Sequence, residues 1–249
     1  MVRGERIYVE CVGTSKHSYL SLNLNSWGIS DISEIEGLER LTDLTTLDLS
    51  GNEITEIKGL EKLTNLKCLN ALSLQGNKIK KIEGLEKLTN LRYLYLNDNQ
   101  ISEITGLEKL TNLRYLILND NQISEIVGLE TLSSLGNLEV ARNEIVQISG
   151  LDNLINLSNL DLQDNKIKEI SGLDNLRKLH GLMLVVNQIS ELKGLEHLDQ
   201  LRSIDLEFNS IPVEVLEPLE IKSPYSGPVG ENALDIKKAI EYCRKNANL

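Results

Sequence analysis

The side chains able to do covalent or acid–base chemistry are few and scattered. Three imidazoles, His17, His180 and His197, and three thiols, Cys11, Cys68 and Cys243, are spread over 249 residues. None of them shares a metal-ligand spacing, and no G-x-x-x-x-G-K-[ST], G-x-G-x-x-G, H-E-x-x-H or C-x-x-C segment is present. The sequence therefore predicts no catalysis, no metal and no cofactor. An odd number of distant cysteines argues against a disulfide framework and for reduced thiols in a cytoplasm. A second kind of chemistry, non-covalent recognition, does have a spacing. Tyr95, Ile117, Glu139, Asp161, Met183 and Asp205 follow one another every 22 residues, Tyr93 and Tyr115 are 22 apart, and so are Val185 and Glu207. Aromatic and apolar anchors set beside carboxylates are suited to a protein or peptide that brings apolar and basic groups.

The overall charge agrees with that direction. There are 37 acidic and 26 basic residues, a net charge of −11. Nucleic acid and anionic membrane surfaces require basic faces and are excluded as main partners. No stretch approaches the roughly 18 uninterrupted apolar residues of a membrane span. The start, Met1 to Arg6, leads into a short alternating run, not a secretory apolar core, so the expectation is a soluble cytoplasmic protein.

The 22-residue spacing belongs to the whole chain. Asn77, Asn99, Asn121, Asn143, Asn165, Asn187 and Asn209 recur at it, each inside the frame L-x-x-L-x-L-x-x-N-x-I-x-x-[IL]-x-G-L-x-x-L. Asn52 heads a copy 25 residues before Asn77, with three extra residues around Leu66 to Leu72. A degenerate first copy, Leu20 to Ile29, has Trp27 at the asparagine position. That makes about nine copies. Alternation such as Thr46-Leu47-Asp48-Leu49-Ser50 puts two leucines on one side of a short strand and variable residues on the other. An asparagine amide can satisfy backbone groups where the chain leaves the strand, and the glycine admits backbone angles or close approaches that other residues resist. One coil cannot bury its own apolar side, so coils must stack. The fold class is an α/β repeat solenoid with one parallel sheet.

At this point a family can be named. Leu85-Glu86-Lys87-Leu88-Thr89-Asn90-Leu91, followed by L-x-L-x-x-N, resembles a leucine-rich repeat. The form Ile79-Lys80-Lys81-Ile82-Glu83-Gly84-Leu85-Glu86-Lys87-Leu88 is similar to the phosphatase-regulatory subclass and to bacterial internalins. The resemblance spans about residues 20–211. It implies a horseshoe with the sheet on its concave side, and a regulatory subunit or adaptor acting on a phosphatase or GTPase. Asn209, Ile211-Pro212, Glu214-Val215-Leu216, Gly230 and Ala239-Ile240-Glu241-Tyr242 resemble the tail of Roco-type repeat domains, while Ser223 to Gly227 departs from that pattern.

The ends read as caps. Ile7, Val9 and Cys11 alternate with Tyr8 and Glu10, a turn follows at 13–16, and 19–24 alternates again, which predicts a hairpin cap over residues 1–19. All four prolines, Pro212, Pro218, Pro224 and Pro228, precede a helical face formed by Ala233, Ile236, Ile240 and Cys243, so 212–249 reads as a Pro-rich loop and closing helix.

With the frame fixed, the variable strand positions become a surface. Its four columns carry eight acids and one base, Arg142. Tyr93, Tyr95, Tyr115 and Ile117 form one apolar group. Met183, Val185, Val186 and Phe208 form another, with Glu139, Asp161, Asp205 and Glu207 among the carboxylates around them. The predicted function is a non-enzymatic interaction module using this face. The alternative is an assembly protein that self-associates through its ends or edges. Oligomeric state is not encoded in any motif.

Overall fold

In the computed structural model, residues 7–8, 20–62, 66–219 and 233–247 are described. Each x-L-x-L-x segment gives one short strand because its two leucines can be buried only on one side. The strands are β2 (Leu20–Asn23), β4 (Leu44–Asp48), β5 (Ala71–Ser73), β6 (Tyr93–Tyr95), β7 (Tyr115–Ile117), β8 (Asn137–Glu139), β9 (Asn159–Asp161), β10 (Gly181–Met183) and β11 (Ser203–Asp205). They form one nine-stranded sheet in chain order, every described pair parallel. Register is kept leucine to leucine. Leu22 faces Leu47, which faces Leu72, then Leu94, Leu116, Leu138, Leu160, Leu182 and Ile204. This fixes the first copy, with Trp27 at its asparagine position, 61% exposed.

The asparagines form a ladder with a direction. Asn99 Oδ1 accepts from Ile79 N–H in the preceding coil at 3.0 Å, and its Nδ2 donates to Leu74 O of that coil and to Leu96 O of its own, both at 3.0 Å. All eight ladder asparagines, from Asn52 to Asn209, accept a backbone N–H from the coil before at 2.9–3.0 Å. Strand β2 ends the sheet, and among the described residues no coil precedes it, so an asparagine at position 27 would find no described N–H of that kind to accept.

The repeating glycine answers to both of its expected reasons at Gly106. Its φ is +75°, and a Cβ there would stand 2.0 Å from Ile82 O. The three extra residues before β5 form a turn closed by Leu69 N–H on Leu66 O at 3.2 Å, with Cys68 exposed.

At the N-terminal end the described residues correct the expected hairpin. Strand β1 (Ile7–Tyr8) pairs in parallel with β3 (Ile35–Glu36), while β2 is taken into the main sheet beside β4. Alternation identifies a strand but does not choose its partner. The turn expected at 13–16 and His17 and Cys11 lie outside the described residues.

At the other end Pro212 precedes a single helical turn, α1 (Val213–Leu216), where its missing N–H costs nothing. Helix α2 (Ala233–Asn246) buries Ile236, Ala239, Ile240 and Cys243. Cys243 Sγ donates to Leu192 O at 3.5 Å and Arg244 Nε to Glu196 O at 2.9 Å, which seats α2 against the last coils.

Candidate functional site

Because side chains alternate across a strand, the residues between the buried leucines all emerge on one side of the sheet. Parallel pairing then sets equivalent residues of successive coils next to each other, about 4.8 Å apart, so nine strands span about 40 Å. Tyr93 and Tyr115 are neighbours in this way, and their rings stack with centroids 5.0 Å apart and planes 19° from parallel. In the adjacent column Tyr95 stands opposite Ile117, Ile117 opposite Glu139, Glu139 opposite Asp161, Asp161 opposite Met183, and Met183 opposite Asp205. Tyr95 and Tyr115 are 36% and 43% exposed, whereas Asp205 is 4% exposed. Tyr93, Ile117, Glu139, Asp161, Met183, Val185 and Glu207 are half-buried. Next to the stacked pair, Arg114, Asn137, Asn156 and Asn159 line a hollow of about 450 Å³.

The carboxylates of this face are held in place by amides. Glu139 accepts from Asn119 Nδ2 and Asn137 Nδ2, both at 3.0 Å. Asp161 accepts from the Gln163 N–H at 3.0 Å and from Gln163 Nε2 at 3.1 Å. Burial pushes the Asp161 carboxyl above its ordinary pKa against those two hydrogen bonds, and the charge of Glu139 adds to the rise. Burial likewise raises Asp205, opposed by the N–H of Glu207 and reinforced by its charge. The Tyr95 phenol is raised by burial first, then by Tyr93, Tyr115 and Glu139.

The one base of the four columns is already engaged. Arg142 Nε and Nη2 donate to the two carboxylate oxygens of Asp120 at 2.5 and 2.6 Å. Among the described residues the other seven carboxylates, Asp48, Asp98, Glu139, Asp161, Asp164, Asp205 and Glu207, have no ion-pair partner. Like charges on one surface focus the field and favour cationic groups.

The backbone of this face has a property that strand alternation does not reveal. The fourth column, Ser26, Gly51, Gly76, Asp98, Asp120, Arg142, Asp164, Val186 and Phe208, is left-handed in every coil, with φ between 50° and 65°. Its signal was present in the two glycines and three aspartates, residues that tolerate this conformation.

The remaining candidates fall elsewhere. His180 precedes β10, with its N–H on Ser158 O at 2.8 Å, and exposed His197 lies 3.8 Å from Asp174. Asn156 donates to Ser133 O at 2.8 Å and accepts from Lys178 Nζ at 2.6 Å. Cys68 is exposed, whereas burial pushes the Cys243 thiol up to about 11. Among the described residues, no group of three or more His, Cys, Asp or Glu could hold a metal ion, and no helix is long and apolar enough to cross a membrane.

A stacked parallel sheet, an asparagine ladder and a leucine core define a leucine-rich repeat solenoid. The chain belongs to the leucine-rich repeat family. Residues 42–71, 69–109 and 111–153 match the family model described as leucine rich repeats (2 copies). The chain is similar to internalin C2 of Listeria monocytogenes, with 34% identity over 75% of this chain and 80% of that one and a TM-score of 0.67. It is also similar to a leucine-rich repeat protein of Leptospira interrogans, at 27% identity over 90% of this chain and 59% of that one, with a TM-score of 0.68. No curated protein matches the chain. Leucine-rich repeat proteins act generally as protein-interaction modules.

Proposed function

We propose that the chain binds a protein or peptide along the exposed side of its sheet, and that the partner presents apolar side chains next to lysine or arginine. The observation that carries this reading is the imbalance on that face. Among the described residues seven carboxylates of its four columns lack an ion-pair partner, while the one base of those columns is paired to Asp120. The stacked Tyr93 and Tyr115, with Tyr95 and Ile117 beside them, offer preorganised apolar area at the centre of the strip. Glu139, Asp161, Met183, Val185, Asp205 and Glu207 continue it toward the C-terminal coils, Asp205 acting through its charge from below the surface. Binding without chemistry is the role that such a rigid scaffold supports, and an adaptor or regulatory subunit is the corresponding cellular role.

Self-association through the C-terminal end is less favoured, because α2 already covers the last coils through Cys243 and Arg244. The test uses two fluorescein-labelled peptides of about 12 residues, one alternating lysine with leucine and one alternating glutamate with leucine. The lysine peptide is expected to bind and to lose affinity in Tyr93→Ala/Tyr95→Ala. Equal binding of both peptides, or an unchanged affinity in the variant, would remove this reading.

A further inference from the structure

The left-handed turn at the end of each strand is cheap for glycine, and aspartate can be held there by local hydrogen bonds. It is costly for a β-branched or bulky residue, whose Cβ crowds the carbonyl. Two consecutive coils nevertheless place Val186 (φ 55°) and Phe208 (φ 57°) at this position. Strain of this kind is ordinarily offset by packing, yet Val186 is 44% exposed and Phe208, at 75%, is the most exposed large apolar residue among those described. The fold therefore gains little from either side chain in return for its backbone cost.

The two are set side by side. Val186 N–H donates to Glu207 O at 2.9 Å, so the side chains leave the same rim of adjacent coils. Half-buried Val185 and Met183 extend the apolar area from this rim onto the sheet. Asp164 occupies the equivalent position one coil earlier and Glu207 lies next to Phe208. Among the described residues neither has a lysine or arginine within ion-pair distance.

We propose that Val186 and Phe208 form a strained anchoring rim that grips an apolar side chain of a protein partner, with a neighbouring lysine or arginine of that partner meeting Asp164 and Glu207. Exposed, preformed apolar groups ringed by charge are what interface anchors require, and backbone strain at such places serves recognition instead of stability. An anionic lipid surface is the wrong occupant, because the flanking carboxylates repel it. The inference rests on the proposed binding reading and adds to it which coils hold the partner most firmly.

Its test separates the two. A phage-displayed library of peptides of about 12 residues is selected on the immobilised wild-type chain, and enriched peptides are then titrated against Val186→Asn/Phe208→Asn and against Tyr93→Ala/Tyr95→Ala. Asparagine tolerates the left-handed region, so the rim variant is expected to fold with Tm raised by about 3 °C while its affinity falls at least about tenfold. Enriched peptides that bind the rim variant as well as wild type, yet lose affinity in the tyrosine variant, overturn the rim and leave the face reading standing. A fall in Tm overturns the strain argument. A selection that yields no binders, or acidic ones, overturns both readings.

Discussion

Arg142 and Asp120, one coil apart on the same column, close a two-pronged ion pair with Nε–Oδ1 at 2.5 Å and Nη2–Oδ2 at 2.6 Å. The pair joins two coils and engages the one base of four strand columns that carry eight acids. Exposed ion pairs contribute little to stability. The larger consequence is electrostatic, since among the described residues the other seven carboxylates of these columns have no ion-pair partner and can meet a partner's cations directly.

The ladder predicts unequal costs for substitutions at equivalent positions. Asn143 accepts from Ile123 N–H at 2.9 Å and donates to Leu118 O and Val140 O at 3.0 and 3.1 Å. Asn143→Leu leaves these buried groups unpaired, at about 1–3 kcal/mol each, and should cost at least about 3 kcal/mol in urea unfolding. Trp27→Asn, in the coil whose strand β2 ends the described sheet, should change stability by less than about 0.5 kcal/mol. Similar effects at both positions would show that the ladder does not bind each coil to the one before it.

Stability should depend on pH through Asp161. Its folded pKa is raised, chiefly by burial, so the native state takes up its proton at a higher pH than the unfolded chain does. The charged form therefore costs stability at neutral pH, and the cost is relieved as pH falls through the folded pKa toward the ordinary carboxylate range. Asp161→Asn should raise Tm at about pH 7, and the gain should vanish near about pH 4. A gain of the same size at both values would mean that burial of the charge is not its cause.

The thiols should separate by reactivity. Cys68 is exposed, while Cys243 is buried, donates to Leu192 O and has its pKa pushed up to about 11. Iodoacetamide at about pH 8 should alkylate Cys68 in the native chain and Cys243 only on unfolding, because the thiolate is the reacting species. Peptide-resolved mass spectrometry reads both sites at once. Rapid native labelling of Cys243 would mean that α2 does not stay docked on the last coils.

Much of this architecture was legible in the residues because each repeats its signal. Leu47, Leu72 and Leu94 announce a buried side by alternation, and Asn77 to Asn209 announce coil length by spacing. What the pattern left open was direction and partner choice. Nothing in Asn99 itself says that its carbonyl oxygen reaches back to Ile79 in the preceding coil. Ile7 and Tyr8 are visibly strand-like, but their parallel pairing with Ile35 and Glu36 depends on a free edge that exists only once the first coil is formed. The tyrosines followed from the frame, and their stacking from strand spacing. The strain at Val186 and Phe208 was hidden, because in an isolated copy those residues look like ordinary apolar surface.

The account stands on attraction between the exposed side of the sheet and a partner with basic and apolar groups. The most direct measurement is the affinity of peptides selected on the wild-type chain, titrated from about 0.05 to about 0.5 M NaCl, where the Debye length shrinks to a few ångströms. Affinity should fall at least about fivefold across that range as the charge attraction is screened, and Tyr93→Ala/Tyr95→Ala should weaken binding at every salt concentration. Affinity that neither salt nor the tyrosine substitutions alter would contradict the account.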